Sequence, residues 1–325
     1  MVDKEPTFET DRFTSAVLDE FSSLISMYDQ DPENREKIIR DYFEDKDRIS
    51  FGKTGLDDYV NLIQGHFESH AEKYLEDEKS FLFKFSSIDL NSFVKDPINK
   101  SKNLFPEELI SPTTVFLLNS DKTDGQVIGD NKFGVNLNNI FRRYYDETQR
   151  KVDFDIALKD IQGLISHETV HCLCEQLNWR KNDYEKDLIE IAFEEGLATT
   201  VQDIFPTHHN RYIEEFDFWK QIIQQALTED RPWEYYKILK SIKNNENLNE
   251  FNPMAVSLIE ERFYQGGEIS KKEFDFLITK SVIKLNGPIY HVGSKLWSDI
   301  FEEEGLENVK KRILIGPSSF QEFFE

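Results

Sequence analysis

Apolar residues recur at helical spacing over most of the chain and give way once to a strand-like stretch. Phe13, Val17, Leu18, Phe21, Leu24 and Ile25 keep one face of a helix, with Asp11 placed to cap it. Tyr59, Leu62, Ile63 and Phe67 repeat the pattern, and the proline-containing stretch from Asn99 to Pro112 reads as a connector. The texture then changes. The β-branched apolar run Thr113–Leu118 ends in the polar turn Asn119–Lys122 and predicts a strand. Gly125, Gly129, Asp130 and Asn131 mark further turns. Phe133, Val135 and Leu137 alternate with Gly134, Asn136 and Asn138, as in a half-buried strand. Short loops make 113–138 a small antiparallel sheet by expectation.

From Phe154 the helical period returns. Ile156, Ile161, Leu164, Ile165, Leu173 and Leu177 predict one long helix, and a second covers 187–204 before Phe205–Pro206 ends it. Helices over 210–228, 231–243, 254–264, 271–284, 289–303 and 305–314 follow. The order is helices, a short sheet, then helices, so the fold class is α+β and helix-rich. Three regions are expected: an N-terminal helical region over 1–110, a central subdomain over 111–206 and a helical C-terminal subdomain over 207–325.

Composition narrows the function. Against 39 basic residues stand 62 acidic ones, a formal net charge of −23. Nucleic-acid binding needs clustered Lys and Arg, and docking to anionic membranes does too, so neither partner is expected. The 38% hydrophobic content with 27 Phe supplies a core, which argues against wholesale disorder. The only two cysteines, Cys172 and Cys174, diverge on a helix and cannot pair, so nothing calls for an oxidising compartment. The N-terminus has no basic-then-apolar signal pattern, and no apolar run reaches transmembrane length. The chain as written therefore reads as cytoplasmic.

The chemistry concentrates in the long helix, at His167–Glu168–Thr169–Val170–His171. Residues four apart share a helix face, so both imidazoles can reach one metal ion, and Glu168 stands beside them as a base for an activated water. With 7 His in the chain, composition alone yields such a motif in roughly 1 of 60 sequences. An open catalytic zinc site needs a third ligand. The next helix offers one in Phe193–Glu194–Glu195–Gly196–Leu197–Ala198–Thr199, at an interval that permits an antiparallel return.

These two segments resemble the gluzincin metallopeptidases, zincins whose third ligand is a Glu on the following helix. Glu195–Gly196–Leu197–Ala198 is similar to the Asn-Glu-Gly-Phe-Ala signature of their aminopeptidase-like branch. The resemblance implies a zincin-like core, a Zn²⁺ cofactor held by His167, His171 and Glu195, and a peptide or protein substrate. Glu194 stands where the family usually has Asn and is the alternative third ligand. Tyr290–His291–Val292–Gly293 is similar to the branch's Tyr-x-x-Gly pattern. It implies Tyr290 as the group that steadies the oxyanion, with His291 as the alternative. Gluzincins commonly bind substrate along an edge strand beside the active-site helix, which points to 133–138 here; a purely structural hairpin competes with that. Metzincins are excluded because no Gly-x-x-His follows His171, and peptide deformylases because their upstream Cys ligand is absent. No Gly-x-Met-Glu-Asn motif precedes the helix, which tilts the reading toward an endopeptidase or an unassigned specificity.

Other candidates carry less. His66 and His70 are also four apart, but Glu68 is misplaced for the motif, and a solvated helix face is the expectation. His208 and His209 are expected at the surface. Thr199 and Asp203 follow Glu195 by one and two turns, where either can support a zinc-binding His, with a helix-surface role competing equally. The acidic runs Asp29–Asp31, Glu76–Glu78 and Glu302–Glu304 are expected to be solvated. The leading expectation is a zinc metallopeptidase with Glu168 as general base. Two others compete: a zinc protein on a peptidase scaffold with a binding or regulatory role and no turnover, and a metal-free helical interaction protein.

Overall fold

A computed structural model describes residues 22–44, 56–117, 124–129, 131–177, 179, 188–202, 216–227 and 287–325. The chain divides into two compact units, one of residues 1–176 with 202–207, the other of 177–201 with 208–325.

The first unit is helix-rich with a small sheet. Four helices come first: α1 (Pro32–Glu44), α2 (Leu56–Ser69), α3 (Glu72–Ser86) and α4 (Leu90–Lys102). The strands β1 (Thr113–Leu117), β2 (Gly125–Gly129) and β3 (Lys132–Asn136) follow, then α5 (Leu137–Tyr144), a hairpin of β4 (Tyr145–Asp146) and β5 (Lys151–Val152), and α6 (Phe154–Gln176). One apolar core joins the early helices to the sheet and α6, from Leu24, Ile63 and Phe85 through Phe116, Phe133 and Phe141 to Ile161 and Ile165. Edge-to-face packing of Phe85 on Phe116, with ring centroids 5.3 Å apart, ties α3 to β1.

The sheet corrects the expectation of a purely antiparallel pairing. Its order is β1-β3-β2. β3 runs parallel to β1 (Thr113 opposite Lys132, Leu117 opposite Asn136) and antiparallel to β2 (Gly125 opposite Val135). The segment between β1 and β3 is long enough to carry β2 out and bring the chain back to the start of β1, so sequential strands need not pair. β3 is therefore central, not an edge, and it is buried from Phe133 to Asn136 instead of alternating. A strand over 133–138 is also too long. From Leu137 the chain turns helical, with Leu137, Ile140 and Phe141 buried on one face. The expectation that 133–138 offers a substrate-binding edge falls with this; β2 is the edge strand on that side.

α6 forms where the periodicity places it. Asp153 caps its start, its carboxylate accepting from Ile156 N at 3.2 Å and its carbonyl from Ala157 N at 3.0 Å. At the other end the Gln176 amide pairs with the Ile110 backbone, accepting from N at 2.8 Å and donating to O at 2.9 Å. Between these anchors the helix is buried on nearly every side, including Ile161, Leu164, Ile165 and the run Glu168–Cys174. It is a central helix, which explains its all-round apolarity.

The second unit contains α7 (Leu188–Gln202) except its last residue, α8 (Phe216–Leu227), α9 (Pro288–Glu304) and α10 (Leu306–Ile315), closed by a 3₁₀ turn over Pro317–Phe323. Phe193, Trp297 and Phe320 pack as an aromatic trio with centroids 5.0–5.1 Å apart, and Trp297 Nε1 donates to the Phe193 carbonyl at 2.8 Å. α7 and α9 touch backbone to backbone at Gly196 and Gly293. A Cβ on Gly293 would lie 2.0 Å from the Ala192 carbonyl oxygen and 2.8 Å from Gly196 Cα. Thr200 Oγ1 reinforces the crossing by donating to the Ser294 carbonyl at 3.1 Å.

The helices expected over 210–228, 289–303 and 305–314 correspond to α8, α9 and α10. Those over 231–243, 254–264 and 271–284 lie outside the described residues, as does most of the helix expected from Phe13. Among the described residues no helix is long and apolar enough to cross a membrane.

Candidate metal centre

His167, Glu168 and His171 sit mid-helix on α6, where flanking apolar residues lock the backbone. The helical spacing brings His171 Nε2 to 3.1 Å from His167 Nε2, with the rings at 68° and their centroids 4.8 Å apart. His171 is 9% exposed and His167 half-buried. Two ring nitrogens this close share a proton or an electrophile. Among the described residues, one group of His, Cys, Asp and Glu is arranged so that it could hold a metal ion: His167, His171 and Glu195. The ligand atom each offers lies within 4.8 Å of the other two. Glu194, the alternative from the motif, is outside that group and buried.

The donor set fits zinc, which takes imidazole nitrogen and carboxylate oxygen.

Glu168 is 6% exposed, and its side chain lies flush against the backbone of Gly125 at the start of β2. Its charge and that of Glu175 add to burial in pushing the Cys172 thiol far above its ordinary range. Cys172 and Cys174 are both buried and unpaired with each other, as their spacing implies. Asp160, eight residues before Glu168 on α6, is 2% exposed and accepts from Arg143 Nη1 at 2.6 Å. Arg143 also pairs with Asp124, next to Gly125. Burial alone would lower the Arg143 pKa, but the two carboxylates outweigh it and hold the guanidinium protonated. Beside it, burial and then Asp160 push Tyr144 up to about 12.

Tyr290 and His291 lie half-buried in the first turn of α9, just before the Gly293 contact with α7, the helix of Glu195. Thr199 is buried on α7; Asp203, His208 and His209 lie outside the described residues.

Two expectations need correction. His66 is not on a solvated face: it is 5% exposed, with Nε2 2.8 Å from Glu78 Oε2. Glu78, expected in a solvated acidic run, is fully buried as its partner. Neighbouring His70 stacks on Tyr74 at 4.5 Å. A histidine that α2 turns inward needs a hydrogen-bonding partner, and α3 supplies the carboxylate. The contribution of Gly125 escapes motif reading, because a turn-marking glycine gives no local sign of what it faces.

No family model, curated protein or solved structure matches this chain.

Proposed function

We propose that this chain is a zinc-dependent metallopeptidase of gluzincin type, with a zincin-like core, acting on a peptide or protein substrate. The observation that carries the reading is the grouping of His167, His171 and Glu195, beside a buried Glu168 at the motif's second position. His167, His171 and Glu195 would hold the ion. When bound, zinc supplies Lewis acidity that acidifies a water and polarises a scissile carbonyl.

The remaining work belongs to the side chains. Glu168 takes the proton of the attacking water and passes it to the leaving amine. Its burial keeps competing solvent away. Tyr290, or His291, donates a hydrogen bond to the oxyanion that develops on the carbonyl.

Incubation with a mixed peptide library tests the reading, with 1,10-phenanthroline as inhibitor. Cleavage that the chelator abolishes is the expected result. Glu168→Gln should keep the metal and lose turnover by at least ~1,000-fold, on the scale of losing a general base with its positioning. A Glu168→Gln chain that cleaves at the wild-type rate contradicts the assignment.

A further inference from the structure

The HExxH spacing places Glu168 beside the imidazoles but leaves the end of its flexible side chain undetermined. A second element sets it. A Cβ built on Gly125 would lie 2.5 Å from Glu168 Oε1 and 2.9 Å from its Cγ and Cδ, and these are the three nearest atoms. The backbone at 125 lies outside the positive-φ region, so nothing local demands glycine there. What excludes a side chain at 125 is Glu168.

The position of Gly125 is itself fixed from three directions. It pairs with Val135 of the buried central strand. The carbonyl of Asp124 accepts from Asn136 N at 2.7 Å. The Asp124 carboxylate is gripped by Arg143, whose other arm donates to buried Asp160 on α6. The clamp thus ties the start of β2 to the helix that carries Glu168.

We propose that Gly125, held by the Asp124–Arg143–Asp160 clamp, is a positioning residue that aims the Glu168 carboxylate. The proposal rests on the metallopeptidase reading of the same site. A methyl at 125 must gain about 1 Å to reach an ordinary contact, and the end of the Glu168 side chain yields more readily than backbone. A displacement of that size costs about 100-fold in rate.

The experiment has two arms. In the first, zinc-loaded Gly125→Ala should keep wild-type metal content and KM while kcat falls about 100-fold. In the second, metal-free chains undergo urea unfolding in a double-mutant cycle with Glu168→Ala. Gly125→Ala should lower the midpoint beside Glu168. It should raise the midpoint once Glu168 is truncated, because the added methyl then only restricts the unfolded chain. Equal midpoint shifts in both backgrounds overturn the contact. An unchanged kcat overturns the positioning role. A wild-type chain that binds zinc and cleaves nothing overturns the metallopeptidase reading and the positioning role with it, while the cycle still reports the contact by itself.

Discussion

Gly293→Ala tests how the second unit holds the helix that carries Glu195. The added Cβ would sit 2.0 Å from the Ala192 carbonyl oxygen, where an ordinary carbon–oxygen contact is about 3.3 Å or more. The helices must therefore part by at least ~1.3 Å, since backbone stands on both sides and no side chain can swing away. Overpacking of this kind costs about 1–3 kcal/mol. The separation also stretches the buried Trp297–Phe193 hydrogen bond, one helical turn along α9, whose loss costs about 1–3 kcal/mol more. The sum is about 2–6 kcal/mol. All 4 tryptophans, Trp179, Trp219, Trp233 and Trp297, belong to this unit, so urea unfolding followed by tryptophan fluorescence reports it selectively. Ser294→Ala, which removes one side-chain hydrogen bond at the same crossing, serves as control at about 1 kcal/mol. A Gly293→Ala loss no larger than the control would refute the backbone contact.

Two further outcomes follow from the first unit and the surface charges. His66→Phe removes the hydrogen bond that His66 shares with buried Glu78, so stability should fall by about 1–3 kcal/mol in chemical denaturation, whereas exposed His→Phe changes cost little. The pH profile of stability should fall at both ends. Hydrogen bonds from Arg150 hold Asp77 below its ordinary range, and those from Arg312 do the same for Glu304. Depressed carboxyls contribute stability above their unfolded values and lose it as pH drops through the folded ones. Tyr144, raised to about 12 from 10.0, contributes fully below pH 10 and loses its contribution as pH climbs toward 12. Thermal melts across that range check both limbs, and Asp77→Asn should flatten the acid one.

Where local periodicity decides the structure, the residues announce it. The apolar spacing from Ile156 onward predicts α6 within a residue or two of Phe154–Gln176, and the i, i+4 histidines meet as that helix requires. Glu195 joins them at the acidic segment that the motif marks. Non-local choices are invisible by the same logic. The parallel pairing of Thr113–Leu117 with β3 depends on chain return, not on alternation. Leu137 continues a strand pattern yet opens a helix, because i, i+3, i+4 burial with Ile140 and Phe141 satisfies the core better. His66 reads as solvated until Glu78, on another helix, is seen to face it. Gly125 reads as a turn until the end of Glu168 is seen to fill the space a side chain would take.

The central claim is that His167, His171 and Glu195 hold one zinc ion, and elemental analysis of the purified chain tests it most directly. The account predicts one zinc per chain, retained in Glu168→Gln and lost in His171→Ala and in Glu195→Ala. A chain that stays folded but binds no zinc under zinc-replete conditions, or whose zinc content is untouched by His171→Ala, contradicts it.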